Sequence, residues 1–206
     1  DAAGLSVLVS FPRTVAQGLA HLARLARALG LDGGAEPARS VVAQAYHAHR
    51  EAEAAASRDP VPTFVPIWMD PLMTANDATF MADVLRLAGG ANVFGDRDRR
   101  YPLAADLGRA AGLPPERIEG KDTRYPRVTL DEVTARAPAL VLLPDEPHAF
   151  TDADADVFRA LPIPAATRGQ VVRCDGRDLM WYGARSLEGI DRLREIVAKA
   201  RAAALA

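Results

Sequence analysis

Apolar and polar positions divide the chain into three textures. In the first, Leu5 to Ser10 (LSVLVS) is apolar and β-branched and stops before Pro12, the pattern of a short buried strand. Thr14 follows as a helix N-cap with Gln17 three residues on. Leu19, Leu22, Leu25, Ala26 and Leu29 then recur at helical spacing until Gly30 ends the run. In the second texture, Glu36 to Ser57 contains no Gly, and its one Pro, Pro37, lies where a first helical turn tolerates a missing N–H. About 22 residues rising ~1.5 Å each predict a rod roughly 33 Å long, more strut than packed helix. Asp59-Pro60 ends it.

From Pro62 the third texture alternates strand and helix. Phe64 to Trp68 reads as a strand, and Thr79 to Ala88 as a helix closed by Gly89-Gly90. Thr129 and Glu132 form a capping box for a helix reaching about Ala137. Ala139 to Leu143 is a purely apolar strand, Asp152 to Leu161 a short helix, Gln170 to Cys174 a strand, and Leu187 to Leu205 a closing amphipathic helix. This alternation predicts βαβ units: an α/β, three-layer lobe with a mostly parallel sheet covered on both faces. A single strand cannot form a sheet, so Leu5 to Ser10 is expected to belong to a second lobe. The predicted organisation is therefore residues 1–34 as the end of one lobe (one strand, one helix), 35–59 as the long helix, and 60–206 as the α/β lobe.

Composition narrows the function. The chain has 206 residues, 49% apolar and 25% charged, with net charge −2 and no basic block, so the electrostatic footprint of nucleic-acid binding is absent. No apolar run approaches the roughly 20 residues that span a bilayer. The single Cys174 excludes an internal disulfide and a cysteine metal cluster. The chain starts at Asp1 with no charged-then-apolar leader before it, and the lone first strand favours a piece of a longer protein.

Several motifs carry no chemistry. Asp152, Asp154 and Asp156 have calcium-loop spacing, but Val157 and Ile163 occupy the positions where an EF-hand needs Gly and Glu; the acids are expected to cap and charge a helix. His47 and His49 lie two apart on a helix and point to different sides, and His148 stands alone beside Glu146. No nucleophile elbow, phosphate loop or H-E-x-x-H is present. The "GGANVFGD" stretch reads as a helix cap, since no strand leads into it. Tyr101 and Tyr125, in two Arg-Tyr-Pro phrases, either rim a cleft or pack as turn residues.

One stretch does suggest a site. In "PTFVPIWMDPLMTAND" (Pro62 to Asp77) an apolar run gives way to an indole, two thioethers and a carboxylate. Ligands of open α/β sheets sit beyond the carboxyl ends of the strands. Trp68, Met69, Asp70, Met73 and Thr74 fall there, as do Trp181, Tyr182 and Arg185. Flat aromatics and thioethers bury a broad apolar ligand face, while Arg or Asp fixes polar edges. A tryptophan at a strand end is also a common core residue.

The wording of the chain resembles a known family. "VPIWMDPLMTANDATFMADVLRLAGGANVF" (Val65 to Phe94), "RYPRVTLDEV", "ALVLLPDEPHAF" (Ala139 to Phe150) and "VVRCDGRDLMWYGAR" (Val171 to Arg185) are similar, in order, to segments of the helical-backbone substrate-binding proteins of ABC importers, the Fe/B12 periplasmic-binding domain family. The resemblance runs from Leu5 almost to the end and lacks most of the N-terminal lobe. It implies a non-catalytic solute-binding component that captures a metal chelate between two lobes: cobalamin or a ferric siderophore, with haem also compatible. It implies an extracytoplasmic location, no resident cofactor or protein-bound metal, and an ABC permease as partner, with Glu146 at the lobe-two docking position. Two other readings stay open at this point: a hydrolase-like α/β enzyme using Asp70 or Cys174 with His148, and a truncated binding protein that keeps only its docking lobe.

Overall fold

The computed structural model describes residues 4, 7–31 and 36–205. Helix α1 (Val15–Ala28) begins at Thr14, whose hydroxyl accepts from the Gln17 N–H, while the Gln17 side chain reaches back to the Arg13 N–H at 2.7 Å. The rod is a single helix, α2 (Glu36–Ala55). The remaining elements are β1 (Val61–Phe64), β2 (Trp68–Met69), β3 (Leu72–Met73), α3 (Phe80–Leu87), β4 (Gly90–Asn92), α4 (Leu103–Asp106), α5 (Pro115–Ile118), α6 (Leu130–Arg136), β5 (Leu140–Pro144), α7 (Asp152–Arg159), α8 (Pro164–Thr167), β6 (Val171–Cys174), α9 (Gly176–Met180) and α10 (Arg185–Leu205).

Four strands form one parallel sheet in the order β4-β1-β5-β6. Strand β5 is buried throughout, and its alternation shows why both faces must be covered. Leu140 and Leu142 enter one core with α3 and α10, through Val84, Leu85, Ile190 and Leu193; Val141 and Leu143 enter the other with Phe64, Phe94, Val133 and Phe158. Each such side chain contributes on the order of 1.5–3 kcal/mol by leaving water. The expected three-layer α/β lobe is present.

Helix α2 is joined to this lobe by packing and by charge. Ala52 lies in the first core, and Arg86 of α3 grips Glu53 through two hydrogen bonds of 2.8 and 3.0 Å while also bonding Asp83. That grip holds the Glu53 carboxyl below its usual range. The Asp83 carboxylate in turn accepts from the Val15 N–H, linking the start of α1 to α3.

Three sequence expectations change. Val7 to Ser10 form no strand and Val7, Leu8 and Val9 are exposed, because among the described residues no neighbouring strand offers them backbone partners; Leu5 and Ser6 lie outside the described residues. The strand expected at Phe64 to Trp68 is instead β1, ending at Phe64, since Val65-Pro66 leads the chain into a separate hairpin and Pro66 has no N–H to offer a ladder. "GGANV" is more than a helix stop. Gly89 turns the chain at φ 91, and Gly90 opens edge strand β4, where any side chain would meet Leu85 at 2.5 Å.

The long crossing from β4 to α6 is organised on one buried ion pair. Asp106 accepts from Arg97 Nη1 (3.1 Å), from the Arg100 N–H (2.9 Å) and from the Arg127 N–H (2.7 Å). Arg97 also bonds Glu132, whose other oxygen completes the capping box with Thr129.

Candidate functional site

The strand order reverses between β1 and β5, because β1 is followed in sequence by β4 on one side and then by β5 on the other. Loops leaving the carboxyl ends of two such strands diverge and leave a crevice between them. From β1 comes Val65-Pro66-Ile67 and the β2–β3 hairpin, whose two-residue turn is Asp70-Pro71. From β5 comes Asp145 to His148, and from β6 the segment Asp175 to Tyr182, which includes α9. The loops after β5 and β6 are locked together. Asp145 Oδ1 accepts the Gly176 N–H at 2.7 Å, and a Cβ at Gly176 would lie 2.8 Å from the Glu146 carbonyl, so the close approach requires glycine.

A hollow of about 290 Å³ opens in this crevice. Ile67, Phe80, Tyr125, Met180 and Tyr182 supply apolar walls, Arg124 the charge, and Phe11 reaches in from the segment before α1. The Tyr182 ring meets Phe80 edge-on at 4.6 Å. Arg124 is committed elsewhere: Asp122 binds it twice, at 2.6 and 2.8 Å, and its guanidinium lies 4.5 Å from the Phe11 ring centroid. The pairing holds the Asp122 carboxyl below its ordinary range, and burial pushes the Tyr125 phenol up, so it stays a neutral hydroxyl.

The residues expected from sequence divide around this hollow. Tyr182 lines it. Trp68 (43% exposed) and Trp181 (50%) do not line it, though each is adjacent in sequence to a lining residue, Ile67 and Tyr182. Trp68 packs against His148 at 5.4 Å, which packs edge-on against Phe150, so the two divergent loops touch through rings. The indole Nε1–H donates to the Asp70 carbonyl at 3.0 Å. Asp70 is exposed at the hairpin turn; Met69 and Met73 are half-buried, packed on opposite cores. Thr74 faces inward, fully buried, its hydroxyl donating to the Val65 carbonyl at 2.7 Å; it braces the hairpin and presents no polar atom outward. Arg185 is engaged by Asp175 at 3.2 Å. Glu146 is half-buried on the loop after β5.

Sequence reading missed Ile67, Phe80, Arg124, Met180 and Phe11. Arg124-Tyr125 belongs to the second Arg-Tyr-Pro phrase, and the structure separates the two tyrosines: Tyr125 lines the hollow, whereas the Tyr101 hydroxyl donates to the Asp122 carbonyl at 2.7 Å away from it. The phrase itself was the available signal.

The chemistry of the other candidates is quiet. Burial, reinforced by Asp145, Asp178 and Asp175, pushes the Cys174 thiol up to about 12, the opposite of an activated nucleophile. His148 lies 3.5 Å from Asp154, a capping residue of α7, as the acidic "TDADAD" run was expected to be. Among the described residues no cluster of three metal-ligating side chains occurs, and no helix is long and apolar enough to cross a membrane.

The sequence matches no protein-family profile and no curated protein. Solved structures do match. The periplasmic vitamin B12-binding protein of Vibrio cholerae superposes with TM-score 0.69 at 13% identity, over 97% of this chain and 68% of that one. The periplasmic haem-binding protein of Vibrio cholerae gives 0.66 at 17% over 95% and 68%. An ABC-type Fe3+-hydroxamate transport protein of Saccharomonospora viridis gives 0.62 at 18% over 95% and 62%. The chain therefore has the fold of the periplasmic solute-binding proteins that these three represent.

Proposed function

We propose that this chain is the backbone helix and second lobe of a solute-binding component of an ABC importer, acting outside the cytoplasm on a bulky metal chelate: a corrinoid such as cobalamin, a ferric siderophore, or haem. The observation that carries the reading is an apolar hollow walled by Ile67, Phe80, Tyr125, Met180 and Tyr182 at the topological switch point, with the exposed Trp68 and Trp181 next in sequence to two of its lining residues. Residues 1–34 would close a first lobe, 35–59 bridge the lobes, and 60–206 supply this half of the clamp. The hollow's 290 Å³ sits at the lower limit of small-molecule pockets, ~300–1,000 Å³, as suits a surface that seats one face of a ligand while an opposing lobe covers the other.

Helix α2 is unbroken and anchored through Glu53 and Ala52. A continuous helix absorbs little φ/ψ change, so the lobes would close only slightly and capture would rest on a prebuilt surface. Glu146, on the rim loop after β5, would meet a basic group of the permease; such pairing steers encounter and orientation.

The chain has two tryptophans, each next in sequence to a residue lining the hollow, so intrinsic fluorescence is the readout chosen. Titration with cyanocobalamin, ferric siderophores and haem is expected to quench the emission for one class, and Trp68→Ala or Trp181→Ala to weaken that binding. Unchanged emission across the panel refutes the ligand class.

A further inference from the structure

We propose that His148 is a positioning residue of this site, clipping the β2–β3 hairpin to the loop after β5 so that two walls of the hollow keep a fixed spacing. The inference rests on the solute-binding reading above, which needs a prebuilt surface, and names a side chain that keeps it built.

Past the sheet the two loops share few restraints. Strands β1 and β5 pair through Thr63 with Leu140 and Phe64 with Val141, and there the ladder ends. Among the described residues no hydrogen bond or ion pair joins residues 65–73 to residues 145–150. Each loop nevertheless gives one residue to the wall of the hollow, Ile67 and Pro147. The residue that follows in each loop carries a ring, and the rings of Trp68 and His148 meet at 5.4 Å between centroids, tilted by 60°. The contact between the loops thus sits one peptide link from the wall on both sides.

His148 is braced from behind. Its ring stands edge-on to Phe150 at 4.6 Å, and Phe150, 5% exposed, belongs to the core of Phe64, Val141 and Phe158. A chain of three rings therefore runs from that core to the exposed indole. The polar edge of the imidazole is idle: Nε2 is buried and makes no hydrogen bond, 3.5 Å from an Asp154 oxygen already taken by the Thr151 N–H and hydroxyl, each at 2.8 Å. What His148 contributes is its ring. Ring pairs in these geometries shift an equilibrium by roughly two- to tenfold each. That is small beside the stability of a whole domain, but a two-stranded hairpin is marginal alone, and its tether decides how often it lifts.

Amide hydrogen exchange of the ligand-free protein tests the clip without reference to any solute. In His148→Ala the hairpin amides, among them the Ile67 N–H that donates to Met73, should exchange roughly two- to tenfold faster, while amides of β5 keep the wild-type rate. His148→Phe, which keeps a flat ring without the imidazole nitrogens, should restore the wild-type rate. Trp68→Leu should loosen the hairpin similarly, and adding His148→Ala to it should add little, since both remove the same contact. Calorimetric titration with cyanocobalamin, a ferric trihydroxamate and haem then reads the site: the compound that wild type holds should bind about two- to tenfold more weakly in His148→Ala and recover in His148→Phe. Unchanged hairpin exchange in His148→Ala, an equal rise in β5, no recovery in His148→Phe, or an affinity unmoved by His148→Ala would overturn the assignment. Exchange as expected with none of the three compounds bound by the wild type would instead leave the clip standing and defeat the function reading.

Discussion

Replacing Arg97 with Met tests how the site is held in place. The Arg97 and Asp106 side chains are 7% and 0% exposed, so the variant leaves a carboxylate in the interior without its cation. Removing one member of a buried pair costs about 3–5 kcal/mol. Asp106 keeps two backbone donors, from Arg100 and Arg127, which places the expected loss near the lower end, about 3 kcal/mol. At roughly 2–4 °C per kcal/mol for a domain of this size, the melting temperature should fall by about 6–12 °C. Thermal unfolding followed by circular dichroism, with urea titration for the free energy, measures it. Adding Asp106→Asn should restore part of the loss, because the stranded charge is then gone while one acceptor remains. The Arg127 N–H is held by Asp106, so the single variant should also loosen the Arg124–Val128 stretch, whose Arg124 and Tyr125 line the hollow. A melting point within about 2 °C of wild type would refute the reasoning, since a network costing under ~1 kcal/mol to break cannot be what organises the crossing.

Two further outcomes follow from the titrations. Arg177, with help from Arg185, holds the Asp175 carboxyl down to about 2, so its stabilising contribution is complete above the ordinary carboxylate range near 4 and is lost as pH falls toward 2; Asp175→Asn should therefore be less stable than wild type at pH 7 and indistinguishable from it near pH 2 in parallel denaturant titrations. Cys174, its thiol raised to about 12, should react with a thiol reagent at pH 8 at least tenfold more slowly in the native protein than in denaturant, and rapid native labelling would contradict its burial.

Much of the scaffold could be read from local chemistry. Thr129 and Glu132 cap α6 through the two reciprocal bonds their spacing implies, Thr14 caps α1, and the unbroken Ala- and Glu-rich run is one helix. These features depend on residues three or four apart, which a linear pattern displays. The misses depend on distant partners. Val7 to Ser10 have strand composition and no strand beside them; Gly90–Asn92 is too short to show a period and is a strand because Val61 to Thr63 lie alongside. The site divides in the same way. Tyr182, a bulky group after a strand, lines the hollow, but that Thr74 points inward is settled by its bond to Val65 across the hairpin, and that Arg124 and Tyr125 line the hollow by the pairing of their stretch with a hairpin some fifty residues earlier.

The indole of Trp68 already gives its only hydrogen to Asp70 in the same hairpin. What remains for an incoming molecule is the bare π surface, which senses area and planarity but is indifferent to where oxygens and nitrogens lie. If the proposed solute-binding role holds, discrimination between molecules of similar shape must come from other groups, and a substitution at position 68 should alter how strongly a molecule is held far more than which one is preferred.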